Sequence, residues 1–313
     1  MKPSWNIDSV FCFTIKGCPL ADQSGRGPSK KQILAQLRAQ IDRIEQGQGF
    51  DCESEDPLDS HVEPFGIENV VSGQQKTNPF GSCYVADSYF DMGAFHGRHR
   101  FRELIDTDMG LIYKLARDDR LENLEPTGAL FLDIETTGLS PFQGAFPFLT
   151  GVAWYEPSRV VVRQIFTRSC EEEPAALYEL VRILKRFSHL VTYNGRGFDV
   201  PVLNERLRIN RMDQRISAMP HLDLLIPCRR IFKGVKQDCR LGTMEGILGF
   251  SRTGDVPSSE IPALYASYLR SQDARKLANV FEHNLYDVLT MAVLQARIAA
   301  MLASGEEEVL PPE

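Results

Sequence analysis

The stretch Ala129-Leu130-Phe131-Leu132-Asp133-Ile134-Glu135-Thr136-Thr137-Gly138-Leu139 sets the reading of this chain. Its opening apolar run predicts a strand covered on both faces, as at the centre of a parallel sheet. Side chains alternate along a strand, so Asp133 and Glu135 leave the same face near its end. Thr136, Thr137 and Gly138 then break the strand. Two neighbouring acids raise each other's pKa unless a proton or a cation sits between them. A divalent metal is the simplest such cation.

Two further blocks extend the pattern. Val191-Thr192-Tyr193-Asn194-Gly195-Arg196-Gly197-Phe198-Asp199-Val200-Pro201 predicts another short strand that runs into a Gly-rich turn carrying an acid. Phe281-Glu282-His283-Asn284-Leu285-Tyr286-Asp287-Val288-Leu289 lies in a predicted helix, where His283 and Asp287 share a face one turn apart. The chain thus offers Asp133, Glu135, Asp199, Asp287 and one imidazole in three ordered blocks.

That order, Asp-x-Glu, then Asn-x-x-x-Phe-Asp, then His before a final Asp, resembles the DEDD (DnaQ-like) exonucleases of the ribonuclease-H-like superfamily. The wording around the blocks is similar to the bacterial YprB-like branch, in His221-Leu222-Asp223-Leu224-Leu225, Cys239-Arg240-Leu241 with Glu245, Asp255-Val256-Pro257, Ile261-Pro262 and His283-Asn284. The resemblance covers residues 80–302. It implies an α/β fold, a ribonuclease-H-like mixed sheet flanked by helices, and 3′→5′ exonuclease activity on DNA or RNA, with a single strand or a 3′ end as partner. The spacing departs from both family subclasses: His283 stands where one has Tyr, and the His spacing of the other falls on Glu282.

Phosphodiester hydrolysis needs an activated water, charge neutralisation on the phosphate and a stabilised leaving oxygen, which two Mg²⁺ or Mn²⁺ ions held by carboxylates supply. We assign Asp133, Glu135 and Asp287 to the ion that activates water, with Asp133 bridging to a second and Asp199 acting through its outer shell; the resemblance supports this assignment. His283 would orient or deprotonate the water, since an ordinary imidazole titrates near neutrality. By resemblance Thr137, Gly138 and Leu139 contact the terminal nucleotide, and Asn194 and Phe198 lie beside it. Arg229, Arg230 and Lys233, with Lys236 and Arg240, are candidates to track the backbone: residues 205–240 hold nine Lys or Arg against four acids.

Each assignment has a plainer alternative. His283 could bond a backbone carbonyl, Asp199 could cap the following helix, and Asp287 could lie on a solvated face. Asn194 could shape its turn, and the basic residues could be a solvated helix face. For His221 with Asp223 a satisfied structural pair is favoured over a metal site. Phe142, Phe146 and Phe148 are favoured as core rather than as base-stacking residues. Arg98, Arg100 and Arg102, beside His96 and His99, form a second basic patch.

Bulk properties bound the class. A net charge of −7 argues against a sequence-blind DNA coat protein. Seven cysteines without a CxxC pair suit a reducing cytoplasm, and Cys12, Cys18 and Cys52 match no zinc spacing. We expect no export signal in Ser9–Ile15 and no apolar run of membrane-spanning length. The expected organisation is an N-terminal extension over 1–80, with an amphipathic helix at 29–46 and an acidic linker to 63. A docking hairpin (80–105) and helix (109–124) follow within 81–126, then the exonuclease domain at 127–302 and a disordered tail at 303–313. Two rivals stay open: an endonuclease of the same fold, and an inactive nucleic-acid-binding or adaptor module.

Overall fold

The computed structural model describes residues 65–138, 144–232 and 238–304. The expected helix at 29–46, the acidic linker, Cys12, Cys18, Cys52, Leu139, Phe142, Lys233, Lys236 and the tail beyond Ser304 lie outside the described residues.

In chain order the elements are β1 (Gln74–Asn78), β2 (Gly81–Asp91), β3 (Phe95–His96), β4 (His99–Arg100), α1 (Glu103–Asp106), α2 (Gly110–Leu115), β5 (Ala129–Thr136), β6 (Pro147–Glu156) and β7 (Arg159–Phe166). They continue with α3 (Glu173–Leu184), β8 (His189–Thr192), α4 (Asp199–Ile209), β9 (His221–Asp223), α5 (Leu225–Ile231), α6 (Leu241–Leu248), α7 (Ile261–Ser271) and α8 (Leu277–Ser304). Among the described residues, seven strands form one sheet in the order β1-β2-β7-β6-β5-β8-β9, and β3 with β4 form a separate ribbon. β5 runs antiparallel to β6 and parallel to β8, and β8 runs parallel to β9. This is the mixed sheet flanked by helices that the resemblance implied; β5 is buried as expected, but it has a parallel partner on one side only.

β5 is central because its residues feed two cores. Phe131 packs with Ala153 and Val162 against Leu285, Val288 and Leu289 of α8. Leu130 and Leu132 join Val152, Trp154 and Val161 against Leu177 and Leu180 of α3 and Val202 and Leu203 of α4. Alternation along one strand therefore fills both layers. In composition α8 is long and apolar enough to cross a membrane, but 72% of its most apolar window is buried in this fold. It is the central helix of the core.

Two expectations change. The hairpin sought at 80–105 is β1–β2 at 74–91, and β2 pairs with β7 along its length, so it continues the sheet rather than docking on it. The expected boundary after residue 80 falls in the turn between these strands. Phe146 and Phe148 belong to a third core cluster, with Phe148 stacked on Tyr265 at a centroid distance of 4.0 Å, as the core reading favoured.

One detail of the pairing positions the site. β8 pairs with β5 only as far as Phe131, opposite Val191. Beyond that point the β8 side of β5 has no strand partner among the described residues, and the amide of Ile134 donates to Oδ1 of Asp199 at 3.2 Å. A shift of register between Glu135 and Thr136 follows, after which Thr136 still pairs with Pro147 and the Thr137 amide donates to the Phe146 carbonyl at 3.0 Å.

Candidate active site

Asp133 and Glu135 leave β5 where its parallel partner has ended, at the strand terminus where open α/β sheets bind ligands. Asp133 Oδ2 accepts a hydrogen bond of 2.9 Å from Nδ2 of Asn284 on α8. Asn284 is fully buried, and its Oδ1 accepts from Nε2 of Gln164 on β7, which also donates to the carbonyl of Phe281. A chain of amides thus fixes the first acid. Gly151, opposite Asp133 across the β5–β6 ladder, leaves the space for it: a Cβ there would meet Asn284 Oδ1 at 2.1 Å.

Asp199 is the first residue of α4, one position past the N-cap Phe198, and its carboxylate accepts from its own amide as well as from that of Ile134. The contact with Ile134 adds a tie to β5 that a helix cap alone would not make. The turn before it is held by Asp223, which accepts from the amides of Asn194 (2.8 Å) and Arg196 (3.0 Å). Asn194 adopts a left-handed φ of 64°, a conformation that asparagine tolerates better than most residues. His221 bonds Thr192 Oγ1 at 2.8 Å and not Asp223, so the two residues are structural separately rather than as a pair.

α8 brings the last block against β5. Glu135, His283 and Asp287 each offer a donor atom, all within 4.8 Å of one another, an arrangement that could hold a metal ion. The carbonyl alternative for the His283 ring is replaced by side-chain partners. Its Nδ1 donates to Asp255 Oδ1 at 2.8 Å, which leaves Nε2 to accept from Ser258 Oγ at 3.3 Å and to face Asp287 Oδ2 at 3.4 Å. Glu282, at the alternative spacing, is tied to the Tyr286 hydroxyl at 2.8 Å.

Electrostatics joins the blocks. Burial, then the charges of Asp287, Glu135 and Asp199, holds the Asp133 carboxyl well above its ordinary range. Glu135, 8% exposed, is raised by burial and then by Asp287 and Asp199. Burial pushes Asp199 up to about 7, with Asp223 and Asp287 adding to the rise. Carboxylates that repel one another at partly desolvated positions are stabilised by a shared cation, and hard oxygen donors suit a divalent one.

A residue outside the sequence motifs also enters the cluster. Arg252, on the connection between α6 and α7, pairs with Asp287 and with Glu245, its Nε lying 2.9 and 3.0 Å from the two Glu245 oxygens. Glu245 also accepts from Thr290 Oγ1 at 3.0 Å, and Thr290 is bonded in turn by His96 at 2.8 Å. Glu245, Asp255 and Asn284 stand out in the sequence only as family-like wording, without a role. Arg252 and Gln164 carry no signal there, since their partners lie 35 and 120 residues away along the chain.

Beside this cluster lies a cleft of about 800 Å³, lined by Asn194, Arg229, Arg240, Arg252, His283 and Asp287 among others. Of the expected substrate contacts Asn194 and Arg229 line it, whereas Thr137, Gly138, Phe198 and Arg230 do not. Thr137 is engaged with Phe146, through its amide at 3.0 Å and its hydroxyl at 3.2 Å. Phe198 packs partly into the core under α4.

A family model described as RNase_H superfamily matches residues 130–299, from β5 to α8. The chain belongs to that superfamily. It is similar to the uncharacterized protein YprB of Bacillus subtilis (strain 168), with 29% identity over 271 residues that make up 84% of this chain. The aligned part spans 62% of that relative's length. Among solved structures, the family B DNA polymerase of the hyperthermophilic archaeon Pyrobaculum calidifontis aligns with 56% of this chain and 24% of its own, at 18% identity and a TM-score of 0.43. A likeness that slight carries no argument. The matched span of the superfamily contains all four clustered acids.

Proposed function

We propose that this RNase H superfamily chain is a DEDD-type, metal-dependent nuclease that removes nucleotides from the 3′ end of DNA or RNA. The observation that carries the reading is the convergence of Asp133, Glu135, Asp199 and Asp287 from one strand and two helices onto one charged centre. Two Mg²⁺ or Mn²⁺ ions there would supply Lewis acidity, an activated water and charge for the leaving oxygen. Asp133, Glu135 and Asp287 would hold the first ion, with Asp133 shared and Asp199 orienting the water around the second.

The remaining work falls to the chain's own groups. Asp255 fixes the His283 tautomer so that Nε2 faces the Asp287 side, where it can orient a water or accept its proton. The amide chain through Gln164 and Asn284 holds the Asp133 carboxylate in one orientation. Arg229, exposed on the cleft wall, is placed to meet a backbone phosphate; among the described residues neither it nor Arg230 takes part in an ion pair. Free thiols at the buried Cys83 and Cys228 fit a reducing, cytoplasmic setting.

The test is digestion of 5′-labelled single-stranded DNA and RNA with Mg²⁺ or Mn²⁺, run beside Asp133→Asn and Asp287→Asn. The expected result is a ladder that shortens from the 3′ end and disappears in both variants. Internal fragments on a substrate with a blocked 3′ end would assign an endonuclease instead. Intact oligonucleotides in either metal would overturn the reading.

A further inference from the structure

The two ends of the acidic cluster differ in one respect that bears on metal binding. Asp133 and Asp199 accept hydrogen bonds from neutral amides, whereas Asp287 already holds a full positive charge. The Arg252 side chain is 8% exposed and lies between Glu245, Asp287 and Asp255. A guanidinium cannot lose its proton in a protein, so this charge is permanent. It is bound to Oδ1 of Asp287, the carboxylate whose Oδ2 faces His283 and which shares a possible ion position with Glu135.

We infer that Arg252 is a resident cation of the site and competes with divalent metal for Asp287. The inference rests on the metal-site reading above and goes beyond it. An ion shared by Glu135 and Asp287 would sit within a few ångströms of the guanidinium, at partly desolvated positions where charge repulsion is strong. It must therefore draw Asp287 away from Arg252 or bind against its field. Glu245 provides the place to which Arg252 retires, because its two oxygens already accept from Nε. The arrangement keeps α6, α8 and the connection after α6 assembled without metal, and it weakens the metal site in return.

The sign of the effect on metal affinity tests this directly. MnCl₂ is titrated by calorimetry into the full chain as wild type, Arg252→Met and Arg252→Lys. Arg252→Met is expected to bind Mn²⁺ about tenfold more tightly or better, the change that corresponds to about 1.4 kcal/mol. Arg252→Lys, which keeps the charge, should stay close to wild type. Equal or weaker binding by folded Arg252→Met overturns the inference and leaves the metal-site reading standing. No Mn²⁺ binding by any of the three proteins overturns both. Should Arg252→Met fail to fold, a wild-type crystal grown with MnCl₂ gives the answer. Arg252 displaced from Asp287 supports competition; Arg252 still bound to Oδ1 of a metal-ligated Asp287 refutes it.

Discussion

The sheet-borne half of the site and the helix-borne half solve the same electrostatic problem in opposite ways. At the sheet, Asp133 of β5 and Asp199, which reaches β5 from the start of α4, are met by amide donors, Asn284 Nδ2 and the Ile134 N–H, which orient the carboxylates without cancelling their charge. On the helix side, Asp287 is paired with Arg252, and His283 with Asp255. The lesson is that four acids at one centre need not be equivalent in their demand for metal. The sheet half calls for an external cation, and the helix half brings one of its own.

The largest effect should come from breaking the sheet half. Asp133→Asn is expected to abolish nuclease activity in the labelled-oligonucleotide assay. The same substitution removes one of several repelling charges, so the metal-free protein should gain on the order of 1 kcal/mol, or about 2–4 °C in Tm, by calorimetry. A loss of both activity and stability would mean that Asp133 is structural.

Next in size is the amide chain. Asn284→Leu leaves Asp133 without its side-chain donor and Gln164 without one of its acceptors, and should lower kcat about 10–100-fold. An unchanged kcat would show that Asp133 is oriented by something else. Gly151→Ala attacks the same chain sterically, since its Cβ would lie 2.1 Å from Asn284 Oδ1. It should cost about 1–3 kcal/mol in a urea titration and reduce activity with it. A wild-type midpoint would show that α8 can shift freely over β6.

The smallest effect is one that the acidic centre does not share. Burial lowers His96 to about 3, His189 to about 4 and His221 to about 3, so each is neutral in the fold. The unfolded chain takes up these protons near pH 6.5. The histidines' share of the stability should therefore be full above that value and decline as pH falls toward 3, because the unfolded state then binds more protons; the raised carboxyls of Asp133, Glu135 and Asp199 act in the opposite sense. His96→Gln, at the far end of the Glu245–Thr290 chain, should flatten part of this decline in denaturation midpoints measured across the window. A profile identical to wild type would count against a neutral, buried His96.

Much of the sheet half was legible in sequence, and for a physical reason. A strand buried on both faces produces an uninterrupted apolar run, and the two acids at its end, common enough as a pair, gain meaning from the two further acid-bearing blocks that follow in order. The His283–Asp287 face was legible too, since helical periodicity is local. The Arg252 network was not. It lies on a connection with no periodicity, and its meaning depends on Glu245 and Asp287 approaching from two different helices. β1 was missed because its edge position leaves Gln74 to Asn78 polar and largely exposed, without the alternation that marks a strand. Thr137 and Phe198 were singled out with the substrate in mind, and nothing in the sequence signalled their contacts within the fold, with Phe146 and with the core.

The junction between Asp133 and Asn284 spans 151 residues of chain. During synthesis at about 5–20 residues per second, the acid strand is made on the order of ten seconds or more before the helix that completes it. Until that helix docks, the apolar face of the sheet that it covers is open and the acids are without their orienting amides. The site is therefore a late product of folding. A nascent chain carries its carboxylates early and becomes competent only when α8 closes over them.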